Sequence, residues 1–162
     1  MKALQVFPVT GIPAIKAGDP LGGMLARAAG ESAPGLAPGD VLAVCQKVVS
    51  KAEGRVVRLP DVTPSPRALA WAREHRKDPR LVEIVLKEAT RIVRMEKGLI
   101  IAETAGGLVC ANAGVDQSNT DGPDEAVLLP LDPDASAERL REEIAEVTGS
   151  RQGVVITDTF GR

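Results

Sequence analysis

Aromatic side chains are nearly missing from this sequence of 162 residues, which holds two Phe, one Trp and no Tyr. Without platforms on which bases can stack, single-stranded nucleic-acid binding is not expected. Histidine is equally scarce: His75 stands alone in the charged run "REHRKD", where it reads as a solvent-facing helix residue. A Ser-His-Asp or Cys-His nucleophile system is therefore not supported, and a zinc site lacks its usual ligands. The two cysteines, Cys45 and Cys110, each lie in an apolar strand-like run without metal-type spacing. They read as buried small hydrophobes of a reducing compartment, with a disulfide between them as the lesser alternative. No apolar run is long enough to span a bilayer. The start "MKALQVFPVTGIP" lacks the apolar core and cleavage site of a signal peptide, and Pro8 interrupts it. A cytoplasmic protein with no membrane contact is the expectation. A net charge of -2 and a pI near 5.5 give no general drive toward nucleic acid or acidic lipid.

What remains is aliphatic. With 44% hydrophobic residues and a mean hydropathy of 0.00, the chain can build one ordinary globular domain or two small ones. Proline and glycine fall between the periodic segments and act as punctuation. "ALQVFPV" reads as a first strand, "TGIPAIKAGDP" as an ordered loop and "LGGMLARAAG" as a short helix weakened by its glycines. "PGDVLAVCQKVVSKAEGRVVRL" predicts a turn, an apolar strand, a loop from Ser50 to Gly54 and a second short strand.

The stretch from Thr63 to Arg94 is expected to be helical, its second half capped by Asp78 with Pro79 at the first helical position. Val82, Val85, Leu86, Ala89 and Val93 then share a face. "GLIIAETAGGLVCA" predicts a strand pair joined at Ala105, Gly106 and Gly107. "AVLLPLDPDAS" is another extended run, with Asp132 and Asp134 in helix-capping positions. Ser136 is expected to cap a last helix with Leu140, Ile144 and Val147 as its buried stripe. "GVVITDTFGR" then forms a buried strand delivering Asp158 and Thr159 at its end. Irregular alternation with hairpin links predicts an α+β fold: a mixed, largely antiparallel sheet with helices packed on it.

Several groups could carry chemistry. In "VCANAGVDQSN" a strand ends in small residues, and Ala113-Gly114 leaves room for a close approach to the backbone. Asp116, Ser118 and Asn119 then crowd oxygen ligands onto one turn, although turns rich in Asp and Asn need no ligand. Asp116 and Asp158 both follow apolar strands, with Asn119 and Thr159 beside them, a donor set suited to Mg²⁺ or Mn²⁺ if the two strand ends meet. Lys51, in "VVSKAEGR", could neutralise phosphate oxygens or be simply solvated. The loop "TGIP" could offer backbone amides to a nucleotide, but no Walker-type sequence occurs anywhere.

Together "FPVTGIP", "GDVLAVCQKVVSKAEGR", "VCANAGVDQSN", "LLPLDPDAS" and "VVITDTFGR" resemble, in order and spacing, the coenzyme F420-0:L-glutamate ligase family. The resemblance implies a gamma-glutamyl ligase-like domain over 1–162 and a GTP-dependent enzyme joining L-glutamate to the deazaflavin precursor coenzyme F420-0 through an acyl phosphate. It implies Asp116, Asp158 and Thr159 as ligands of Mn²⁺ or Mg²⁺, with K⁺ as a further ion. Ile12, Pro13, Ala14, Ile15, Gln46, Lys47, Lys51 and Asn119 would then contact the nucleotide, and a homodimer is expected. Members of the family often carry histidine before the "VCANAG" strand, where this chain has Ala105-Gly106-Gly107, and they continue past "DTFGR". The chain would then be the N-terminal portion of the catalytic unit. Two alternatives stand beside the ligase: a non-catalytic fragment that binds nucleotide or deazaflavin, and a metal-dependent hydrolase of GTP built on the same aspartates.

Overall fold

The computed structural model describes residues 3–118, 120 and 122–158. These form two compact units, one from 3–54 and 133–158, the other from 55–132.

In the first unit, strand β1 (Val41–Cys45) pairs in parallel with β7 (Gly153–Thr157), in a register that sets Val41 against Gly153 and Cys45 against Thr157. Helices α1 (Leu21–Ser32), α2 (Gln46–Ala52) and α5 (Pro133–Thr148) accompany this pair. Ile15, Leu21, Leu25, Leu42, Val44, Val49, Leu140 and Ile144 form its core. The glycines of α1 weaken it as an isolated helix, yet they fit it to its neighbour. A Cβ at Gly22 would stand 2.5 Å from the Cβ of Glu143, and the Gly22 N–H donates to Glu143 Oε2 at 2.7 Å. Close packing against α5 thus replaces the helix propensity that Gly22 forfeits.

The second unit holds β2 (Val56–Arg58) paired antiparallel with β6 (Glu125–Val127), and an antiparallel meander of β3 (Ala89–Glu96), β4 (Leu99–Thr104) and β5 (Val109–Ala111). Helix α3 (Pro66–His75) starts at Ser65, whose hydroxyl accepts from the Ala68 N–H. Helix α4 (Pro79–Glu88) starts at Asp78, as its sequence predicts. Ala68 and Ala72 of α3, Val82 and Val85 of α4, and Ile100 and Ala102 of β4 bury one another with Ala113. Ile84 turns the other way, against Leu59, Ala126 and Leu128. One parallel pair and two antiparallel sheets with packed helices constitute the expected α+β fold.

Several local expectations are corrected. Residues 3–9 form no strand: Leu4 is 90% and Val6 83% exposed, and no neighbouring strand supplies hydrogen bonds. Residues 46–52, expected to include the start of a loop, are helix α2, and Gly54, in the left-handed region at φ 69°, follows its end. Helix α4 stops at Glu88, and Val93 is an exposed residue of β3, because Thr90, Ile92 and Val93 favour an extended backbone. Ser136 lies inside α5, which already begins at Pro133, so it does not stand at the helix start. Its buried hydroxyl donates to Glu53. Leu140 and Ile144 are buried as expected, whereas Val147 is exposed. Strand β7 is at most half-buried, with Val155 exposed. Cys110 is buried but Cys45 is exposed, and neither forms a disulfide. Among the described residues no helix is long and apolar enough to cross a membrane.

Candidate functional site

The parallel pairing of β1 and β7 has a direct consequence. Both strands run the same way, so their succeeding residues emerge at one edge: Gln46 and Lys47 open α2 after Cys45, and Asp158 comes after Thr157. The carboxyl edge of parallel strands is where open α/β sheets place ligands, because backbone groups and loops converge there. Gln46 is buried, and its Oε1 accepts from the Ser50 hydroxyl at 2.9 Å, while its Nε2 has no acceptor among the described residues. A buried unpaired amide donor costs about 1–3 kcal/mol. Asp158 is exposed and Lys47 half-buried.

Lys51 does not sit in a loop. It occupies the last turn of α2, where an ammonium is favoured by the helix dipole. Ile15 is in the core and Ile12 packs half-buried against it, so these two anchor the segment that leaves Pro13 and Ala14 exposed. Ile12, Pro13, Ala14, Ile15, Gln46, Lys47, Lys51 and Asp158 all belong to the first unit.

Asp116 belongs to the second unit. Its backbone forms an isolated bridge with Val127, with the Asp116 N–H donating to the Val127 carbonyl at 3.0 Å and the reverse bond at 2.7 Å. Its carboxylate accepts from the Ser118 N–H at 2.9 Å and from the Ser118 hydroxyl at 2.7 Å. An anchored backbone and an oriented carboxylate suit an oxygen ligand for a hard cation. Leading into it, Asn112, Ala113 and Gly114 adopt three consecutive left-handed conformations, at φ 52°, 49° and 73°. For alanine this is strained, and burial of Ala113 in the core holds it there. The room expected beside Gly114 is occupied by the chain itself: a Cβ there would lie 2.5 Å from Leu129 Cγ.

Asp116 also borders a cleft of about 350 Å³ lined by Trp71, Lys77, Leu81, Ile100, Asn112 and Gln117 among others. Of these, Asn112 and Gln117 lie within "VCANAGVDQSN", whereas Trp71, Lys77, Leu81 and Ile100 carried no signal of a site in the sequence. His75 is not a free surface residue: its ring meets the Trp71 indole edge-on, with centroids 4.4 Å apart. At the rim, Asp78 accepts from the Arg80 N–H at 2.8 Å and from the guanidinium at 2.7 Å. The guanidinium hydrogen bond holds the Asp78 carboxyl below the usual range, against the opposing effect of partial burial. Buried Glu83 is lowered as well, chiefly by the Ser65 hydroxyl and then by the Ser65 N–H, which donates at 2.9 Å.

Asn119 and Thr159 lie outside the described residues. Among the described residues no three His, Cys, Asp or Glu side chains come together as a metal cluster. Asp116 and Asp158 are thus each placed at an element end, in different units.

A family model described as F420-0:Gamma-glutamyl ligase matches residues 10–162. The chain is similar to the coenzyme F420:L-glutamate ligase of Methanopyrus kandleri, with 46% identity over 162 residues, covering 100% of this chain and 62% of that protein. The protein of the same name from Methanothermobacter thermautotrophicus is 42% identical over 98% of this chain and 63% of its own length. That from Archaeoglobus fulgidus is 44% identical over 98% and 61%. The chain spans about six tenths of the length of these relatives.

Proposed function

The chain belongs to the F420-0:gamma-glutamyl ligase family, and from that premise we propose that it serves a GTP-dependent ligation of L-glutamate to coenzyme F420-0 in coenzyme F420 biosynthesis. The observation that carries this reading is the family match itself, which runs through Lys51, Asp116 and Asp158 alike.

The chemistry explains why such residues are needed. A carboxylate is a poor electrophile. Its oxygen attacks the γ-phosphorus of GTP, the bond to the GDP oxygen breaks, and an acyl phosphate forms. The amine of L-glutamate then adds to the acyl carbon, loses a proton, and expels phosphate as the amide bond closes. Positioning and charge neutralisation supply most of the catalysis in phosphoryl transfer. Lys51 and Lys47 meet phosphate oxygens in this reading, and Gln46 offers its unpaired amide to the nucleotide. Asp116 in the one unit, and Asp158 with Thr159 by the family resemblance, would each be a ligand of divalent metal, Mn²⁺ or Mg²⁺. The oriented carboxylate of Asp116 fits such an ion, which binds one or two carboxylates and completes its shell with substrate phosphates. When bound, the metal offsets the charge gathering between carboxylate and phosphate.

Exposed Leu4, Val6, Phe7, Val41 and Val155 support a homodimer, in which such apolar surface finds cover. Small-molecule substrates support a cytoplasmic setting. The test is mass-spectrometric: incubation with coenzyme F420-0, L-glutamate, GTP and Mn²⁺ yields a product heavier by one glutamyl residue, with GDP released only when all are present. GDP release that ignores F420-0 and glutamate would instead identify a hydrolase. The second reading, a non-catalytic binding fragment, would be established by GTP binding without GDP release under full substrate.

A further inference from the structure

Four non-glycine residues among those described hold a left-handed backbone, and two of them, Asn112 and Ala113, are consecutive and lead through Gly114 toward Asp116. Asparagine visits this region readily, and Arg76 takes it at the end of α3, where helices commonly close that way. Ala113, at φ 49° and ψ 31°, has neither reason. Glycine would take the same backbone without strain, so what alanine adds here is its methyl group. We propose that Ala113 is a positioning residue for Asp116: its buried methyl pins a strained turn whose fixed course sets the direction in which the Asp116 carboxylate is presented. This rests on the reading of Asp116 as a metal ligand and names the device that aims it.

Both ends of the turn are fixed. Ala111 pairs with Ile101 in the β4–β5 ladder and Asp116 pairs with Val127 of β6, so residues 112–115 carry the chain from one sheet of the second unit to the other. The middle is fixed as well. Ala113 is 1% exposed, inside the cluster of Ala68, Ala72, Ile100 and Ala102, and Val115 packs half-buried both there and against the cluster of Leu59 and Leu128. The Val115 N–H closes the turn by donating to the Asn112 carbonyl at 2.9 Å. Beyond it, the two bonds to Val127 hold the Asp116 backbone, and the Ser118 N–H and hydroxyl hold its carboxylate. A left-handed alanine persists only where its surroundings over-determine it, and such residues collect at functional sites. Ala113→Gly removes the strain and the anchor together. The relief of the first offsets the lost methyl, so global stability changes little while Asp116 loses its fixed approach.

Amide hydrogen exchange on the metal-free chain reads this directly. In Ala113→Gly the amides of Asp116 and Val127, which report the bridge, should exchange faster by about tenfold or more, while the amides of β4 keep their wild-type rates. Asn112→Gly frees the neighbouring residue without touching the buried methyl, and it should leave the Asp116 and Val127 rates near wild type. Calorimetry with GTP shows the consequence: Ala113→Gly weakens binding by about tenfold with Mn²⁺ present and leaves it unchanged without the metal. Faster exchange spread evenly over the second unit would mean a methyl that only fills the core, and overturns the assignment. Unchanged exchange at Asp116 and Val127 overturns it as well, as does an equal effect of Asn112→Gly. Local loosening in a chain whose GTP binding ignores Mn²⁺ would refute Asp116 as a ligand and leave its positioning by Ala113 standing; metal-dependent binding that Ala113→Gly does not weaken would do the reverse.

Discussion

Replacing Gly114 with alanine should destabilise the second unit by about 2–5 kcal/mol, the sum of two separable costs. The first is conformational. Gly114 has φ 73°, and an L-residue in the left-handed region costs about 1–2 kcal/mol. The second is steric. The new methyl would sit 2.5 Å from both Cγ and Cδ1 of Leu129, and forcing an extra carbon into packed surroundings costs about 1–3 kcal/mol. Gly107 provides the control, because its φ is 77° but nothing lies within 4 Å of its Cβ position, so Gly107→Ala carries only the first cost. Urea denaturation followed by Trp71 emission reads the unit directly, since the sole tryptophan lies in it. Adding Leu129→Ala to Gly114→Ala should recover the steric part. Equal losses at Gly107 and Gly114, with no coupling to Leu129, would refute the claim that the chain's own leucine fills this space.

The same geometry sets three further outcomes. Gly22→Ala gains about 1 kcal/mol of helix propensity but drives a methyl against Glu143 and the Leu140 carbonyl at about 1–3 kcal/mol, so denaturation should show a net loss of up to about 2 kcal/mol; a gain would contradict the tight α1–α5 contact. Asp78 and Glu83 have lowered carboxyl pKa values in the folded chain, so their stabilisation is complete above their unfolded values near about 4 and is lost as pH falls through the lower folded values. Asp78→Asn with Glu83→Gln should therefore flatten the acid limb of a stability–pH curve, and an unchanged limb would deny them that role. A thiol reagent should modify one cysteine, Cys45, in the native chain and both after unfolding; rapid modification of Cys110 would show that its strand is not packed in the core.

Much of the fold was legible where a residue type has one structural use. Asp78 followed by Pro79 announces a helix start, and the cap bond to Arg80 is there. Small residues at Ala105, Gly106 and Gly107 announce a hairpin between two β-rich runs, and β4 and β5 pair across it. The failures share a cause. Val48-Val49 and Val93 are β-branched residues read by local pattern, and tertiary contacts decided them in opposite directions: Val49 is buried in a helix and Val93 exposed on a strand. Gly54 was the missed signal for α2, since a glycine in the left-handed region ends a helix as readily as it makes a turn. Of the site, the sequence motif located Asp116 and Asp158 at element ends, but motifs do not report cavities. Trp71 and Lys77 come to border one cleft through the Arg76 turn, left-handed at φ 54°, at the end of α3.

The central claim, that this chain binds a nucleotide with the help of a metal for which Asp116 is a ligand, is tested most directly by calorimetric titration of GTP with and without Mn²⁺. The account predicts saturable binding that weakens by about tenfold or more when the metal is withheld, with Asp116→Asn abolishing that difference. Equal affinity in the two conditions, or no binding in either, would contradict it.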